Sequence, residues 1–379
     1  MKKSLIFGAG NIGRGFVGKI LIDSGYEVIF VDIDERLIRE LNAHGEYLVK
    51  IVGDNPKESI VRGVSGILST DTERLLEIGC EVDLITTAVG PNILAKVAVS
   101  IAQIIEHRSS QGMEKSLNVI ACENKVRAST FLKGKVEELL SPDALDFSRK
   151  NVGFADSAVD RIVPLKKSSS ITDVHVEEFF EWVVDKTQLK EGFEVQDCKL
   201  TDKLLAFVER KLFTLNTGHA TIAYMGAARG YNSIFRSLED PEVLEFTKQV
   251  LKESGEILVK RHLFDPKEHE AYIEKVLNRF LNPHLDDACE RVGREPKRKL
   301  GANDRFIALL RFAQSLGQPI AKDSALVKAT GYAIIFGEKI KGFDKITTQA
   351  ELLELIGLPE EFNSDWVGHI LNQLTNIRN

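Results

Sequence analysis

Cysteine is scarce in this chain, and its few thiols lie far apart. The four cysteines form no CxxC pair; they are Cys80, Cys122, Cys198 and Cys289. This spacing excludes a disulfide framework and a zinc site built from paired cysteines. It is typical of reduced thiols, so we expect a cytoplasmic protein.

Long apolar runs are also missing. A membrane-spanning helix needs about 18 or more consecutive apolar residues. The most apolar long stretch, 93–105, is shorter and contains Lys96. The first residues superficially resemble a signal peptide, but Asn11 and Arg14 interrupt the apolar region where it should continue. We therefore expect neither a membrane segment nor a secretion signal.

An excess of positive charge is absent, because 50 basic residues stand against 56 acidic ones and the formal net charge is −6. This balance gives no support to binding of nucleic acids or anionic membranes. Close clusters of metal ligands are missing too, and Pro266 interrupts the helix that His262 and His269 would have to share. We expect a small-molecule partner, no metal site and no obligate protein partner.

The pattern along the chain changes near residue 195. Before it, short apolar runs alternate with helical patterns, which indicates a mostly parallel α/β domain. The predicted strands are 5–7, 28–31, 84–87, 119–122 and 151–154, with a possible hairpin over 47–61. After it, long amphipathic patterns predict helices over 201–227, 241–262, 268–280, 302–315 and 324–336. We predict an α/β domain over 1–195 and a mostly α-helical domain over 196–379.

A glycine-rich motif directly follows the first predicted strand. Residues 8–13 read Gly-Ala-Gly-Asn-Ile-Gly and open a helical pattern. This GxGxxG could be an ordinary turn, but between a strand and a helix it is typical of a Rossmann domain that binds a dinucleotide pyrophosphate. The predicted contacts are Phe7, Gly8, Ala9, Gly10, Asn11, Ile12 and Gly13.

An acidic residue at the end of the second strand completes the dinucleotide motif. Asp32 lies 24 positions after Gly8, and its carboxylate suits the ribose hydroxyls of NAD and repels the 2′-phosphate of NADP. Asp34 competes for this role, but we interpret it as the cap of the next helix. Thr87 and Val89 end a later strand and are expected along the NAD path. Alternatively, they belong to a plain strand-to-helix turn.

One segment of the helical half combines a lysine, an amide and an imidazole. At 100° per residue, Lys211, His219 and Asn216 fall at roughly 0°, 80° and 140° around the helix. Together they suit alcohol–carbonyl chemistry, because a lysine whose pKa is lowered toward about 7–8 can exchange the hydroxyl proton. The alternative is a solvated lysine, a helix kink at Asn216 and a core histidine.

Several motifs, in order along the chain, resemble the polyol-specific long-chain dehydrogenases of the mannitol dehydrogenase family. The motifs are FGAGNIGRGF at 7–16, Cys-Glu-Asn at 122–124, FADSAVDRIVP at 154–164, KLFTLNTGH at 211–219 and PKRKL with Asp-Arg at 296–305. The resemblance implies that Lys211 is the general acid/base, that Asn124 and Asn216 hold the reacting oxygen, and that His219 binds a substrate hydroxyl. It further implies metal-independent interconversion of D-mannitol 1-phosphate and D-fructose 6-phosphate with NAD(H).

A basic segment follows in the second half. Five cations occur within residues 291–299. They could form a solvated loop, but a sugar phosphate would need such cations, and arginine fits phosphate in a bidentate manner. We predict that Arg298, Lys299 and Arg305 contact the substrate, without assigning which one meets the phosphate.

Three other functions compete with this interpretation. A hexuronate reductase of the same family would bind a carboxylate with the same cations. A hydroxyacid or hydroxyacyl dehydrogenase would need a His–Glu pair, and the sequence shows no convincing one. A non-catalytic NAD sensor would keep the motif from Gly8 to Asp32 without needing Lys211.

Overall fold

The computed structural model describes residues 1–53, 55–164, 170–285, 287–340 and 342–378. The chain forms two compact units, Met1–Phe207 and Val208–Asn379. A domain boundary at residue 195 stays a prediction. All four cysteines are free thiols. Among the helices of the described residues, none is long and apolar enough to cross a membrane.

Among its described residues, the first unit contains twelve strands in three sheets. The strands are β1 (Lys2–Phe7), β2 (Tyr26–Asp32), β3 (Glu46–Ile51), β4 (Lys57–Arg62), β5 (Val64–Leu68), β6 (Leu84–Thr87), β7 (Leu117–Ala121), β8 (Val152–Phe154), β9 (Ser157–Asp160), β10 (Val174–Val176), β11 (Glu181–Asp185) and β12 (Cys198–Thr201). Two sheets have three strands each, in the orders β10-β3-β4 and β12-β11-β9. The expected hairpin is present as the antiparallel pair β3–β4.

The main sheet is a six-stranded parallel sheet in the order β5-β2-β1-β6-β7-β8. Its strands are mostly apolar because helices cover both faces, and β7 is buried at every residue. The strand order reverses direction at β1. In such sheets a crevice opens at the carboxyl ends of the strands beside this point, and ligands bind there. The predicted Rossmann α/β domain is confirmed.

Helices α1 to α6 connect the strands of the main sheet. They are α1 (Lys19–Asp23), α2 (Glu35–His44), α3 (Thr72–Glu81), α4 (Leu94–Ser110), α5 (Ala128–Glu137) and α6 (Pro142–Asn151). A π-helical segment, Gly13–Gly18, leads into α1. Asp34 caps α2 as predicted, since its carboxylate accepts hydrogen bonds from the amides of Arg36 and Leu37 at 3.0 Å each.

The second unit is helical, as predicted. Its helices are α7 (Leu204–Arg210), which starts in the first unit, α8 (Thr217–Ala228), α9 (Ile234–Leu238), α10 (Pro241–His262), α11 (Pro266–Phe280), α12 (Cys289–Gly293), α13 (Pro296–Lys299), α14 (Ile307–Ser315), α15 (Ala325–Glu338), α16 (Gln349–Ile356) and α17 (Asp365–Arg378). Helix α14 begins five residues later than the pattern at 302–315 suggested. Helices α10 and α11 are separate because Leu263 adopts a left-handed conformation before Pro266.

Arg108 on α4 ties the end of α3 to the main sheet. Its side chain is fully buried. The guanidinium donates to the carbonyls of Gly79 at 2.8 Å and of Cys80 and Val82 at 3.3 Å, and to that of Lys115 at 2.7 Å. The last carbonyls of a helix lack partners within the helix, so one buried arginine satisfies a group of acceptors that would otherwise be costly.

We expect the substitution Arg108→Met to lower the free energy of unfolding of the first unit by about 3 kcal/mol, because buried carbonyls lose their donors. The chain has two tryptophans, Trp182 and Trp366. A Trp366→Phe background leaves Trp182 as the reporter of this unit in urea unfolding. As a control, the substitution Arg149→Met at an exposed position should change the free energy of unfolding by less than about 0.5 kcal/mol. Equal losses in both variants would contradict the assigned role.

Candidate active site

The carboxyl edge of the parallel sheet contains a cavity of about 540 Å³. It lies at the point where the strand order reverses, which is where an open α/β sheet binds its ligand. Its lining comes from the ends of β1, β2 and β6 and from α4. The lining residues are Phe7, Gly8, Gly10, Val31, Asp32, Ile33, Ser69, Ala88, Val89, Ile93, Lys96, Val97 and Ser100.

The glycine loop is fixed by close backbone contacts. At Gly8 the φ angle is +102°, and an added Cβ would lie 2.6 Å from the carbonyl oxygen of Ala88. At Gly13 an added Cβ would lie 1.9 Å from the carbonyl oxygen of Gly8. Gly10 has nothing within 4 Å, so its backbone faces open space at the cavity. The first and third glycines are required by the protein itself, and the second leaves room for a ligand.

The carboxylate of Asp32 is held against this loop. Its Oδ2 accepts a hydrogen bond from the amide of Ala9 at 2.7 Å, and its Oδ1 accepts one from the amide of Asp34 at 3.1 Å. Each carboxylate oxygen has further lone pairs available, so the group can still accept hydroxyl donors. Asp32 lines the cavity, while its contact with ribose stays a prediction, and Asp34 caps α2 as the sequence predicted.

Arg14, to which no role was predicted, lies buried beneath the glycine loop. Its guanidinium donates to the carbonyl of Ala9 and, at 3.2 Å, to that of Ile171. No carboxylate within the described residues pairs with it, and burial lowers the pKa of Arg14. The cavity edge therefore has a fixed positive charge below a loop of backbone amides, which favours an anion such as a pyrophosphate.

The turn after β6 is held by a buried glutamate, Glu123, to which no role was predicted. Thr87 is fully buried. It does not line the cavity but donates its hydroxyl to Oε2 of Glu123 at 2.6 Å. The amide of Val89, which does line the cavity, donates to Oε1 of Glu123 at 3.0 Å. Burial raises the pKa of Glu123. Asn124 follows and is exposed beyond the end of β7.

In the second unit, the helix that contains Lys211 is not an ideal α-helix. Residues Lys211–Asn216 form a π-helical segment between α7 and α8. The prediction of 100° per residue is therefore wrong here, because each residue of a wider turn advances by a smaller angle. Ser254 donates to the carbonyl of Phe213 at 2.7 Å, which satisfies an acceptor within the wide turn. Such segments frequently occur at functional sites.

His219 lies on α8, about one turn after the π-helical segment, among cations. Its ring stacks on Phe280 with 5.1 Å between centroids. Burial lowers the pKa of His219 to about 3, assisted by the nearby positive charges of Arg291, Lys299, Arg279 and Arg305. The imidazole is therefore neutral at physiological pH and offers one donor and one acceptor.

The structure brings Arg305 to Asn216. The Nε of Arg305 donates to the backbone carbonyl of Asn216 at 3.2 Å, and its Nη1 donates to the carboxylate of Asp304 at 2.6 Å. Arg298 donates to the same carboxylate at 2.9 Å, while its own side chain is exposed. Asp304 thus connects two of the predicted substrate contacts and offsets part of their charge.

Lys299 differs from these arginines, because it is buried without a carboxylate partner among the described residues. Its side chain is 5 % exposed, and its ammonium donates to the carbonyl of Val292. Burial lowers the pKa of Lys299 to about 8, with further lowering from Arg305 and Arg298. A buried charge is costly unless it is paired, so this position favours an incoming anion.

A His–Glu contact that the sequence did not reveal lies two residues before Lys211. Glu209 accepts from His262 and from Arg261, both at 2.7 Å. These two bonds lower the pKa of Glu209 to about 2, against the opposing effect of burial. The partners are 53 positions apart in the sequence, so no local pattern could identify them. Because Arg261 shares the carboxylate, the group is an ion-paired cluster.

No group of three or more His, Cys, Asp or Glu side chains within the described ranges has an arrangement that could hold a metal ion. His262 and His269 lie on α10 and α11, on either side of the break at Pro266.

Comparison with known proteins identifies the family. The model of the mannitol dehydrogenase Rossmann domain matches residues 2–196, and that of the mannitol dehydrogenase C-terminal domain matches residues 203–342. This Rossmann domain, with its anchored Asp32 and glycine loop, fits NAD as the cofactor.

Two solved structures have a similar fold. A substrate-free D-sorbitol dehydrogenase superposes with a TM-score of 0.83 at 17 % identity, covering 99 % of this chain and 93 % of its own. Mannitol 2-dehydrogenase of Pseudomonas fluorescens, in a ternary complex with NAD and D-mannitol, has a TM-score of 0.72 at 15 % identity, with coverages of 100 % and 92 %. Because the two family models together span most of the sequence, this chain belongs to the mannitol dehydrogenase family.

Proposed function

We propose that the protein is an NAD-dependent mannitol-1-phosphate 5-dehydrogenase, which interconverts D-mannitol 1-phosphate and D-fructose 6-phosphate without a metal. The observation that carries the phosphate assignment is Lys299, a buried cation without a carboxylate partner among the described residues, beside the predicted substrate histidine. A buried cation of this kind suits an anionic substrate, and a phosphate group would supply the charge that pairs with it.

The first unit supplies the cofactor site. Asp32 would accept the ribose hydroxyls of NAD, and the amides of the loop 8–13 would face the pyrophosphate above Arg14. When bound, NAD supplies hydride acceptance and donation at the reacting carbon. A 2′-phosphate would meet the negative charge of Asp32, so the site favours NAD over NADP.

In the second unit, Lys211 would take the alcohol proton during oxidation and return a proton to the carbonyl oxygen during reduction. Asn216, at the end of the π-helical segment, would hold the same oxygen with its amide, and Asn124 has this role by family resemblance. Neutral His219 would orient a neighbouring hydroxyl through its single donor and acceptor.

Arg305 and Lys299 would bind the phosphate group together. Arg305 is anchored to the backbone of Asn216, which fixes the anion's distance from the reacting oxygen. Arg298 would contribute at the rim, because it is exposed and shares Asp304 with Arg305.

We expect rapid NADH oxidation with D-fructose 6-phosphate and little with D-fructose, D-sorbose or D-tagaturonate, all measured at 340 nm with EDTA present. D-fructose and D-sorbose leave Lys299 without an anion. D-tagaturonate supplies a carboxylate, so this substrate decides between a phosphate site and a carboxylate site. The reverse reaction is assayed with D-mannitol 1-phosphate, D-mannitol and D-sorbitol. Turnover of tagaturonate instead would establish a hexuronate reductase, and turnover of unphosphorylated sugars alone would remove the phosphate assignment.

Replacing the proposed acid/base tests whether the protein is a catalyst or a sensor. Lys211→Ala should lower kcat about 10²- to 10⁴-fold, the range expected for loss of general acid–base catalysis. NADH affinity, followed by fluorescence, should stay unchanged, because the cofactor residues lie in the first unit. Retained turnover would exclude Lys211 as the acid/base.

Lys299 can be tested against a matched neighbour. Lys299→Gln should raise the KM of D-fructose 6-phosphate by about 10- to 100-fold, since a charge-assisted hydrogen bond is worth about 1.5–3 kcal/mol. Lys297→Gln is the control, because Lys297 is an exposed lysine of the same short helix. Equal effects in the two variants would contradict a specific anion contact.

The pH dependence of KM gives an independent check on Lys299. The cationic form binds the anion, so KM should rise as the pH increases through about 8. An arginine stays charged in this range. Lys299→Arg should therefore flatten this rise, while the pH dependence of kcat is retained.

A further inference from the structure

We propose that Glu123 is a positioning residue for the nucleotide, which holds the turn Thr87–Gly90 in the conformation that forms one wall of the cofactor cavity. This inference rests on the proposed use of NAD and is independent of the identity of the sugar. It concerns affinity for the nucleotide and assigns Glu123 no contact with the reacting atoms.

The turn begins at the end of β6, where the hydrogen bonds of the main sheet stop. The amide of Cys122 donates to the carbonyl of Thr87 at 2.9 Å, and the amide of Ala88 donates to that of Phe7 at 2.7 Å. Beyond these bonds no described strand pairs with the turn. The bonds to Glu123 are the next ones that hold it. Oε2 accepts the hydroxyl of Thr87 and Oε1 accepts the amide of Val89.

The turn matters to the ligand because it is in contact with the glycine loop. Ala88 and Val89 line the same cavity as Asp32 and Gly10. The carbonyl of Ala88 would lie 2.6 Å from a Cβ at Gly8, so the two backbones are already at their closest approach. A small shift of the turn would therefore narrow the cavity or displace the loop.

Glu123 is well suited to this role because both of its carboxylate oxygens accept hydrogen bonds. The side chain is 5 % exposed, and no cation among the described residues pairs with it. A carboxamide of the same shape can still accept from the Val89 amide and donate its NH₂ group to the Thr87 oxygen, but the hydroxyl hydrogen of Thr87 then loses its acceptor. A buried donor left without an acceptor is costly, so the turn would move rather than keep this arrangement.

The test is NADH binding by the full-length chain, measured by fluorescence titration. Glu123→Gln should raise the Kd of NADH about tenfold, and the Kd of ADP-ribose by the same factor, because the wall faces the cavity that contains Asp32. With D-fructose 6-phosphate, the substrate proposed above, the KM of NADH should rise in parallel, while kcat at saturating NADH stays within about threefold.

Glu106→Gln is the matched control. The carboxylate of Glu106 accepts hydrogen bonds from the amide of Ser141 and, at 2.9 Å, from its hydroxyl. It therefore makes the same pair of bonds as Glu123, but outside the cavity. Its Kd for NADH should stay within twofold of the native value. A Glu123→Gln protein that folds and binds NADH within twofold of native overturns the assignment, as does an equal loss in Glu106→Gln.

Thr87→Val provides a second route, which also serves if Glu123→Gln does not fold. It removes one donor to Glu123 and should raise the Kd of NADH about threefold, with little additional loss in the double variant. An unchanged Kd overturns the assignment. If the native protein itself binds no NADH, the proposed cofactor fails together with this inference, whereas native binding without these losses rejects the inference alone.

Discussion

The close approach of two backbones, at Gly8 and Ala88, is the constraint on which the nucleotide-binding half depends. It leaves no space for a side chain at Gly8 and requires a positive φ there. Three side chains then hold the loop and the turn that faces it: the carboxylate of Asp32 at the Ala9 amide, the guanidinium of Arg14 at the Ala9 carbonyl, and Glu123 behind the turn. Contacts within the protein itself thus fix this wall of the cavity, which lowers the conformational cost of binding.

The helical half is organised by positive charge. Burial keeps the imidazole of His219 neutral, with a further contribution from the cations around it. Two of these cations, Arg291 and Arg305, pair with carboxylates. Asp304 distributes its charge between Arg298 and Arg305, and Asp287 pairs with Arg291. Lys299 is buried without a carboxylate partner among the described residues, so an anion would stabilise it, and the segment of five basic residues within nine can thus include a specific contact.

Much of this arrangement could be predicted from the sequence because it depends on local patterns. The relevant features lie close together near the start of the chain: the first strand, the glycine loop, Asp32 and the cap at Asp34. Their roles follow from backbone geometry. The roles of Glu123 and the Glu209–His262 contact could not be predicted, since they depend on residues that meet only after folding. The π-helical segment was missed for a different reason: hydrophobic periodicity over a long helix averages out one wide turn, although the angles of Lys211 and Asn216 depend on it.

The burial of Lys299 also links folding to the composition of the surrounding solution. Its helix, Pro296–Lys299, is a single turn in which three of four residues are cations, so mutual repulsion opposes its formation. An anion that binds the folded form and not the unfolded chain shifts the equilibrium toward folding by a factor that grows with the ratio of its concentration to its Kd. Under the proposed function, the concentration of phosphorylated sugar would set the lifetime of the protein as well as its rate of turnover. A cell depleted of substrate would then hold an enzyme that unfolds, and is degraded, more readily.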